Sequence, residues 1–153
     1  MIRADETRAK ALIDYLYEIV DDIINNDEYQ IKADFLSDEV NSYSIDKIPM
    51  KSTLEKWITG QRKHIDTYSF RSRFTYSSDQ ADELKNVGFF ELFEAKIEEN
   101  EKNKVYPSID GIEKIECLNC GSLTYASQET CEMNIQIQIT YTDWEKPEVE
   151  GSY

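Results

Sequence analysis

The clearest pattern in the chain is an alternation of aromatic and polar residues over positions 65–76. Because successive side chains of a β-strand leave on opposite faces, this period of two predicts a half-buried strand. Ser72 is the one weak position on the aromatic side. The aromatic positions are Tyr68, Phe70, Phe74 and Tyr76, and the positions between them hold Ser69, Arg71, Arg73 and Thr75. The rest of the chain is expected to cover this face, pair with this strand or lead away from it.

A second alternating segment, residues 131–141, runs without interruption near the end of the chain. A strand of this kind at an open sheet edge would favour aggregation, so we expect it to be paired on both sides. Shorter strands are predicted over 43–48, 53–59, 112–118 and 123–126, the last two separated by Asn119-Cys120-Gly121, which has the composition of a turn. Residues 28–42 are predicted to be irregular.

The first part of the chain has helical spacing. Asp5 is a plausible N-cap for a helix that ends near Asn25. Its apolar stripe comprises Ala9, Leu12, Ile13, Leu16, Ile19, Val20, Ile23 and Ile24. A stripe of this width predicts a helix that covers a sheet.

A pair of short helices is predicted in mid-chain. Ser77 and Gln80 have the spacing of a capping box, with residues 78–79 as an alternative cap. The first helix is expected to end at Gly88, because glycine is favoured at the left-handed position that follows a helix. The second helix is then expected to begin with Phe89 and Phe90 and to end in a charged segment.

These elements together predict an α/β domain of the α+β kind. Its sheet is mixed and mainly antiparallel, and it is covered by the N-terminal helix and the mid-chain helical pair. Residues 1–142 are expected to form this single domain, as the length of 153 residues suggests. Residues 143–153 form an acidic C-terminal tail, which is either disordered or ordered by a partner.

The charge narrows the choice of partners. The chain has 31 acidic and 17 basic residues, for a net charge of -14. This balance argues against broad binding to a nucleic-acid backbone or to an anionic membrane, and it favours protein partners. The first ten residues lack the apolar core of a signal peptide, and no apolar run approaches the roughly 20 residues that span a bilayer. A cytoplasmic chain with reduced cysteines is therefore expected.

The sequence gives little evidence for a metal site or a catalytic site. Cys117 and Cys120 have the gap of a zinc knuckle, and Cys131 could be a third ligand, but a structural zinc needs four. The only histidine, His64, lies far away in sequence. Buried free thiols are the favoured interpretation of the cysteines. The sequence contains no phosphate-binding loop, and no motif surrounds a candidate nucleophile. We therefore expect no catalytic residue, no cofactor and no metal, and we expect that the protein is not an enzyme.

The most basic part of the chain is residues 60–64, which include Arg62, Lys63 and His64. Two interpretations remain open for it: a solvated hairpin tip, or a contact with an acidic neighbouring subunit. Phe89 and Phe90 are either core or interface residues. These five residues are the candidates for a subunit interface.

Several segments in order resemble the tail terminator family, the minor capsid or tail-completion proteins of long-tailed bacteriophages and prophages. The segments are residues 43–49, Gly60, 68–74, 86–93, 114–116, 119–121 and 135–141. The resemblance covers most of residues 43–141. The first helix fits in kind only, and neither the cysteine pair nor the acidic tail has a place in the pattern.

The resemblance implies a structural protein of the virion, with an α/β fold of helices on a mainly antiparallel sheet. Similar proteins form a hexameric ring that caps the tail tube, ends its polymerisation and presents a surface to the head–tail connector. The implied partners are further copies of the chain, the tail tube protein and connector proteins, while DNA passes through without specific binding. The implied location is the virion tail, and the host bacterial cytoplasm during assembly.

Two alternatives to a terminator stay open. The chain could be another head–tail connector or a tail tube subunit. It could also be an acidic binding module, such as an inhibitor that mimics DNA or an immunity protein.

Overall fold

The computed structural model describes residues 7–24, 29–33, 36, 42–49, 53–75, 80–126 and 130–144. The elements in chain order are α1 (Arg8–Ile24), β1 (Gln30–Ala33), β2 (Ser42–Lys47), β3 (Thr53–Lys56), β4 (Gln61–Thr75), α2 (Gln80–Lys102), β5 (Ile112–Cys117), β6 (Ser122–Ala126) and β7 (Thr130–Trp144). All strands of this part of the chain belong to one sheet. The predicted α+β fold is therefore confirmed.

The two longest strands form the centre of the sheet. β4 pairs antiparallel with β7 over its full length, from Gln61 opposite Trp144 to Thr75 opposite Thr130. The other edge of β4 carries β2 and β3 one after the other, and the other edge of β7 carries β5 and β6. β1 joins β2 in parallel and makes the sheet mixed. The expectation that the last strand is paired on both sides is confirmed.

The core lies between the aromatic face of β4 and the two helices. Phe70 is fully buried and stacks on Tyr43 of β2 and on Phe93 of α2, with ring centroids 5.5 and 5.0 Å apart. On β7 the buried apolar positions are Cys131, Met133, Ile135, Ile137, Ile139 and Tyr141. Register places these odd-numbered residues on the same side of the sheet as the even-numbered residues of β4. The predicted position Tyr76 lies outside the described residues.

The first helix forms much as its apolar stripe predicts. Leu12, Leu16 and Ile19 are among its buried residues. The predicted cap Asp5 lies outside the described residues. The helix begins at Arg8, and the hydroxyl of Thr7 accepts a hydrogen bond of 3.1 Å from the backbone N–H of Lys10. Thr7 therefore satisfies one of the free N–H groups of the first turn.

The predicted mid-chain pair is wrong, because α2 is one continuous helix. Gly88 does not end it and has no left-handed backbone. Glycine inside a helix costs only ~0.5–1 kcal/mol relative to alanine. Burying one large apolar side chain contributes ~1.5–3 kcal/mol, and Phe90, Phe93 and Ile97 of α2 are all buried. Packing against the sheet therefore outweighs the local preference for a break. The predicted caps at residues 77–79 lie outside the described residues.

Residues 119–121 do not join a hairpin, contrary to their turn composition. β5 and β6 run in the same direction along β7, and each pairs with β7 instead of with the other. Between them the N–H of Leu118 donates to the carbonyl of Gln136 at 2.8 Å. The side-chain oxygen of Asn119 accepts from the N–H of Gln136 at 2.9 Å. Asn119 thus satisfies the β7 backbone where the edge strand is interrupted.

Smaller differences lie at the ends of the predicted elements. β1 forms within the segment predicted to be irregular, and its Ile31 is buried in the core. β7 continues through Asp143 to Trp144, so the predicted acidic tail begins inside a strand. Residues 145–153 lie outside the described part of the chain. Among the described residues, no helix is long and apolar enough to cross a membrane.

Candidate functional site

The predicted basic patch lies at the start of β4. Gly60 occupies the preceding turn with φ 95°, a left-handed conformation that favours glycine. Gln61 already belongs to the strand, so Arg62, Lys63 and His64 are strand residues and not a hairpin tip. That part of the prediction is wrong because strand pairing with β3 and β7 extends up to the turn.

Each of the three basic side chains has an acidic partner within the same chain. Arg62 Nε lies 3.1 Å from Asp143 Oδ1, and His64 Nε2 lies 3.0 Å from the same oxygen. Lys63 Nζ lies 3.9 Å from a carboxylate oxygen of Glu113. The patch therefore forms ion pairs on both faces of the sheet at one end of the β4–β7 ladder, with Arg62 and His64 on the helix-facing side and Lys63 on the other. These pairs together are called the ionic cluster. Its charges are already compensated before any neighbour binds.

Asp143 is the centre of this cluster. Partial burial alone would raise the pKa of its carboxyl group. The hydrogen bonds and charges of His64 and Arg62 outweigh that effect and lower the pKa below its ordinary value. His64 itself is buried, and its ring stacks on Tyr141 with centroids 4.9 Å apart. The cluster thus links the polar end of the sheet to its apolar core.

The turn before β4 presents apolar side chains instead of basic ones. The N–H of Gly60 donates to the carbonyl of Trp57 at 3.0 Å, which closes the turn. Ile58 is fully exposed and Trp57 is 43% exposed. A projecting aromatic and aliphatic pair is the kind of anchor that fills pockets at protein interfaces. Neither residue belongs to the basic patch that the sequence marks as an interface candidate.

Phe89 and Phe90, the other predicted interface candidates, lie in the core of the subunit. Phe89 contacts Phe74 edge to face at 5.3 Å and stacks on Tyr43 at 5.7 Å. Phe90 is 2% exposed. Within this subunit their role is packing of α2 on the sheet, and a role in assembly stays a prediction.

The two sides of the molecule differ in charge. The exposed side chains of the helices include Asp14, Glu18, Asp21 and Asp22 on α1 and Glu91, Glu98 and Glu99 on α2. Asp14 and Asp22 pair with lysines, and the acids still outnumber the bases on both helices. On the opposite face of the sheet, Arg71 pairs with Asp46 and also lies 3.5 Å from Glu132. Its neighbours there include the half-buried Thr67, Ser69, Gln136 and Gln138. The helical layer is acidic, whereas this sheet face carries compensated charges and uncharged polar groups.

The cysteines do not come together as zinc ligands. Cys117 lies opposite Ile137 of β7, whereas Cys131 is at the start of that strand. At ~3.4 Å per residue, the two thiols are about 20 Å apart. Burial raises the pKa of Cys117 to about 12, with Glu94, Glu98 and Glu116 adding to the effect. Cys131 is buried, whereas Cys120 is exposed. No group of three potential ligand side chains occurs within the described ranges.

Asp143 and Glu113 are the residues that sequence reasoning missed at the ionic cluster. The sequence pattern places Asp143 in the acidic tail, whereas the structure places it in β7. Its partnership with Arg62 follows from the register of β4 and β7, in which the two residues are directly opposite. Aligning the apolar positions of the two alternating strands was the signal that could have revealed this pair. Comparisons with protein-family models and with curated proteins find no match to the chain.

Proposed function

We propose that the chain is a structural subunit of a long-tailed phage or prophage that forms a ring on the end of the tail tube. The ring ends polymerisation of the tube and presents the surface to which the head connector attaches. The proposal rests on the ordered resemblance of residues 43–141 to tail terminators. No catalytic step is part of it.

The observation that carries the proposal is that the separate segments of the resemblance form one packed unit. Residues 43–47 of the first segment lie in β2, residues 68–74 lie in β4, and residues 135–141 lie in β7, so three of the segments belong to adjacent strands. The segment 86–93 lies in α2 and packs on them through Phe93. Segments that are similar by chance would not be expected to be adjacent in one core. Their contact supports a shared fold and, through it, a shared role.

The charge distribution gives the ring a plausible orientation. Copies that each carry a net charge of -14 repel one another unless they meet through compensated surfaces. The sheet face around Arg71 and the cluster around Asp143 are surfaces of that kind. The acidic helical layer is then left to face the channel, where it would repel DNA so that DNA slides through.

The proposal is tested by the assembly behaviour of the purified chain. We expect monomers or closed rings by light scattering and electron microscopy, and no open tubes. Added to the polymerising tube protein of the same phage, the chain should bind tube ends and shorten the tubes. Tubes of unchanged length at a molar excess of chain over ends would refute the proposal. Open tubes formed by the chain alone would identify a tube subunit.

A matched pair of charge reversals tests the predicted contact residues. Lys63→Glu and Lys104→Glu change the net charge equally, but only the first lies in the ionic cluster, where Lys63 meets Glu113. If the cluster contacts a neighbouring subunit, Lys63→Glu should weaken ring formation and capping, and Lys104→Glu should not. Equal effects would assign the loss to overall charge.

The exposed acids of α1 and α2 favour one other candidate, an inhibitor that mimics DNA. Side chains such as Glu91, Glu98 and Glu99 form part of a negative surface on α2. Such an inhibitor would bind a basic DNA-binding enzyme. Its affinity would fall steeply with salt concentration unless apolar contacts also form. Stoichiometric inhibition of such an enzyme, together with no effect on tubes, would favour this candidate over the terminator.

A further inference from the structure

Asp66 is an acid buried on the helix-facing side of β4. Its side chain has no exposed surface, and its two basic partners lie at the edge of the buried region. Arg8 Nε lies 3.2 Å from one carboxylate oxygen, and Lys47 Nζ lies 3.6 Å from the other. Ion pairs between a buried acid and bases that are 46% and 45% exposed are weak evidence for stability, because desolvation of the acid offsets much of the attraction and solvent screens the bases. The arrangement therefore needs a reason besides stability.

The effect of Asp66 is to hold Arg8 in one orientation. The guanidinium carbon of Arg8 lies 4.6 Å from the centre of the Tyr141 ring, and that ring stacks on His64. One side of the guanidinium is thus fixed by a hydrogen bond to Asp66 and its face by the aromatic ring. Its two terminal nitrogens have no hydrogen-bond partner among the described residues.

Arg8 lines a cavity of about 240 Å³. Thr7, Ser108 and Tyr141 form part of its wall. Asp110 and Asp143 also line it. The charge of Asp143 is compensated by Arg62 and His64, whereas Asp110 has no ion-pair partner in the described chain.

We propose that this cavity is a binding site for a carboxylate group, which the terminal nitrogens of Arg8 hold by two hydrogen bonds. A guanidinium edge matches the two oxygens of a carboxylate, and a pre-oriented guanidinium loses little freedom on binding. The uncompensated charge of Asp110 disfavours phosphate, which carries more negative charge. The site does not depend on the proposed function.

The carboxylate has two chemical sources. It is either a free small carboxylic acid or an aspartate or glutamate side chain of a second copy, since the chain is rich in exposed acids. Both present the same group to Arg8. The experiment therefore has one arm for each source.

In the first arm, the Arg8 Nε–H resonance is followed by NMR while glutarate, acetate or inorganic phosphate is added. We expect saturable shifts with the carboxylates and weaker ones with phosphate. Arg8→Lys keeps a positive charge for Asp66 but removes the paired nitrogens, so the affinity should fall about tenfold. Arg71→Lys, on the other face of the sheet, is the matched control and should change nothing. Asp110→Asn should raise the affinity for the carboxylates severalfold.

In the second arm, sedimentation velocity over a concentration series measures self-association of wild type, Arg8→Lys and Lys104→Arg, since Lys104 is exposed and lies outside the surfaces proposed to meet in the ring. Weaker association of Arg8→Lys alone would identify a side chain of a second copy as the source. Thermal unfolding of each variant separates a folding defect from a binding defect. The proposal is overturned if no carboxylate shifts the Arg8 resonance and self-association is equal in all three proteins, or if phosphate binds more tightly than glutarate.

Discussion

Two glycines provide a sharp test of the fold, because the same substitution should have opposite effects at them. Gly88 lies inside α2, and a Cβ atom added there would meet no atom within 4 Å. Gly121 lies beside α2, and a Cβ atom there would approach Cβ and Cγ of Phe90 to 2.5 and 2.3 Å. Gly88→Ala should therefore stabilise the protein, and Gly121→Ala should destabilise it.

The magnitudes follow from the surroundings of each residue. Replacing an exposed helical glycine by alanine typically gains ~0.5–1 kcal/mol, mainly through the lower entropy of the unfolded chain. Forcing an extra methyl group into a packed core typically costs ~1–3 kcal/mol. Phe90 has little room to move, since it is 2% exposed and contacts Phe74 and Phe89 at ring distances of 6.1 and 5.1 Å. The two variants should thus differ by roughly 1.5–4 kcal/mol in the free energy of unfolding.

Urea unfolding followed by circular dichroism measures this difference. At a slope of ~2 kcal/mol per molar urea, the two midpoints should differ by roughly 0.8–2 M. Equal slopes in the two variants and the wild type would show that only stability has changed.

The outcome at Gly88 also decides between one helix and two. If Gly88 had the left-handed backbone of a helix end, alanine would be strained there and would destabilise the protein. A destabilised Gly88→Ala variant would therefore refute the continuous α2. A neutral Gly121→Ala variant would show that the segment between β5 and β6 does not press on Phe90.

Three further outcomes are expected. Phe70→Ala should lower the free energy of unfolding by ~3–5 kcal/mol, because Phe70 is fully buried at the centre of the aromatic cluster. Calorimetry or urea unfolding will measure the loss. A change below ~1 kcal/mol would contradict the packing. The pKa of Asp143 is lowered in the folded state, so its stabilising effect is present above the unfolded pKa and is lost as the pH falls through the folded pKa. Between about pH 5 and 2 the wild type should accordingly lose more stability than Asp143→Asn, and parallel curves would refute the pairing. A thiol reagent at pH 8 should label the exposed Cys120 quickly and Cys117 slowly, because burial raises the pKa of Cys117 to about 12. Mass spectrometry of the labelled peptides distinguishes the two cysteines. Equal labelling rates would contradict the burial of Cys117.

The sequence alone predicts those parts of the fold that depend on local periodicity. The alternation in β4 and β7 and the stripe of α1 each require one face to be buried, and that requirement is visible within a few residues. The break predicted at Gly88 failed because burial of neighbouring phenylalanines, a tertiary effect, outweighs the preference of one glycine. The hairpin turn predicted at residues 119–121 is wrong for a different reason. Turn composition indicates where a strand is interrupted but not which strand its two sides will pair with.

The ionic sites depend on register and on contacts between distant residues. Arg62 and Asp143 meet only because β4 and β7 align in one register. Arg8 and Asp66 are separated by 58 positions and meet through the packing of a helix on a sheet. No local pattern marks either pair. Charge-rich sequences offer many equivalent partners, so the partner of each charge could not be chosen from composition.

The position of β7 in the chain affects how the protein folds. Among the strands that the structure describes, β5 and β6 pair with β7 alone, and β4 shares with β7 the longest ladder. Thr75 and Thr130, which end that ladder, are joined through α2, β5 and β6. Long-range pairing of this kind slows folding, typically to times on the order of milliseconds to seconds. Until β7 has been synthesised, β4 exposes a backbone edge, and β5 and β6 have no strand with which to pair. During synthesis the chain therefore passes through a period in which these edges are open to wrong partners, and cells that produce it quickly should form more inclusion bodies than cells that produce it slowly.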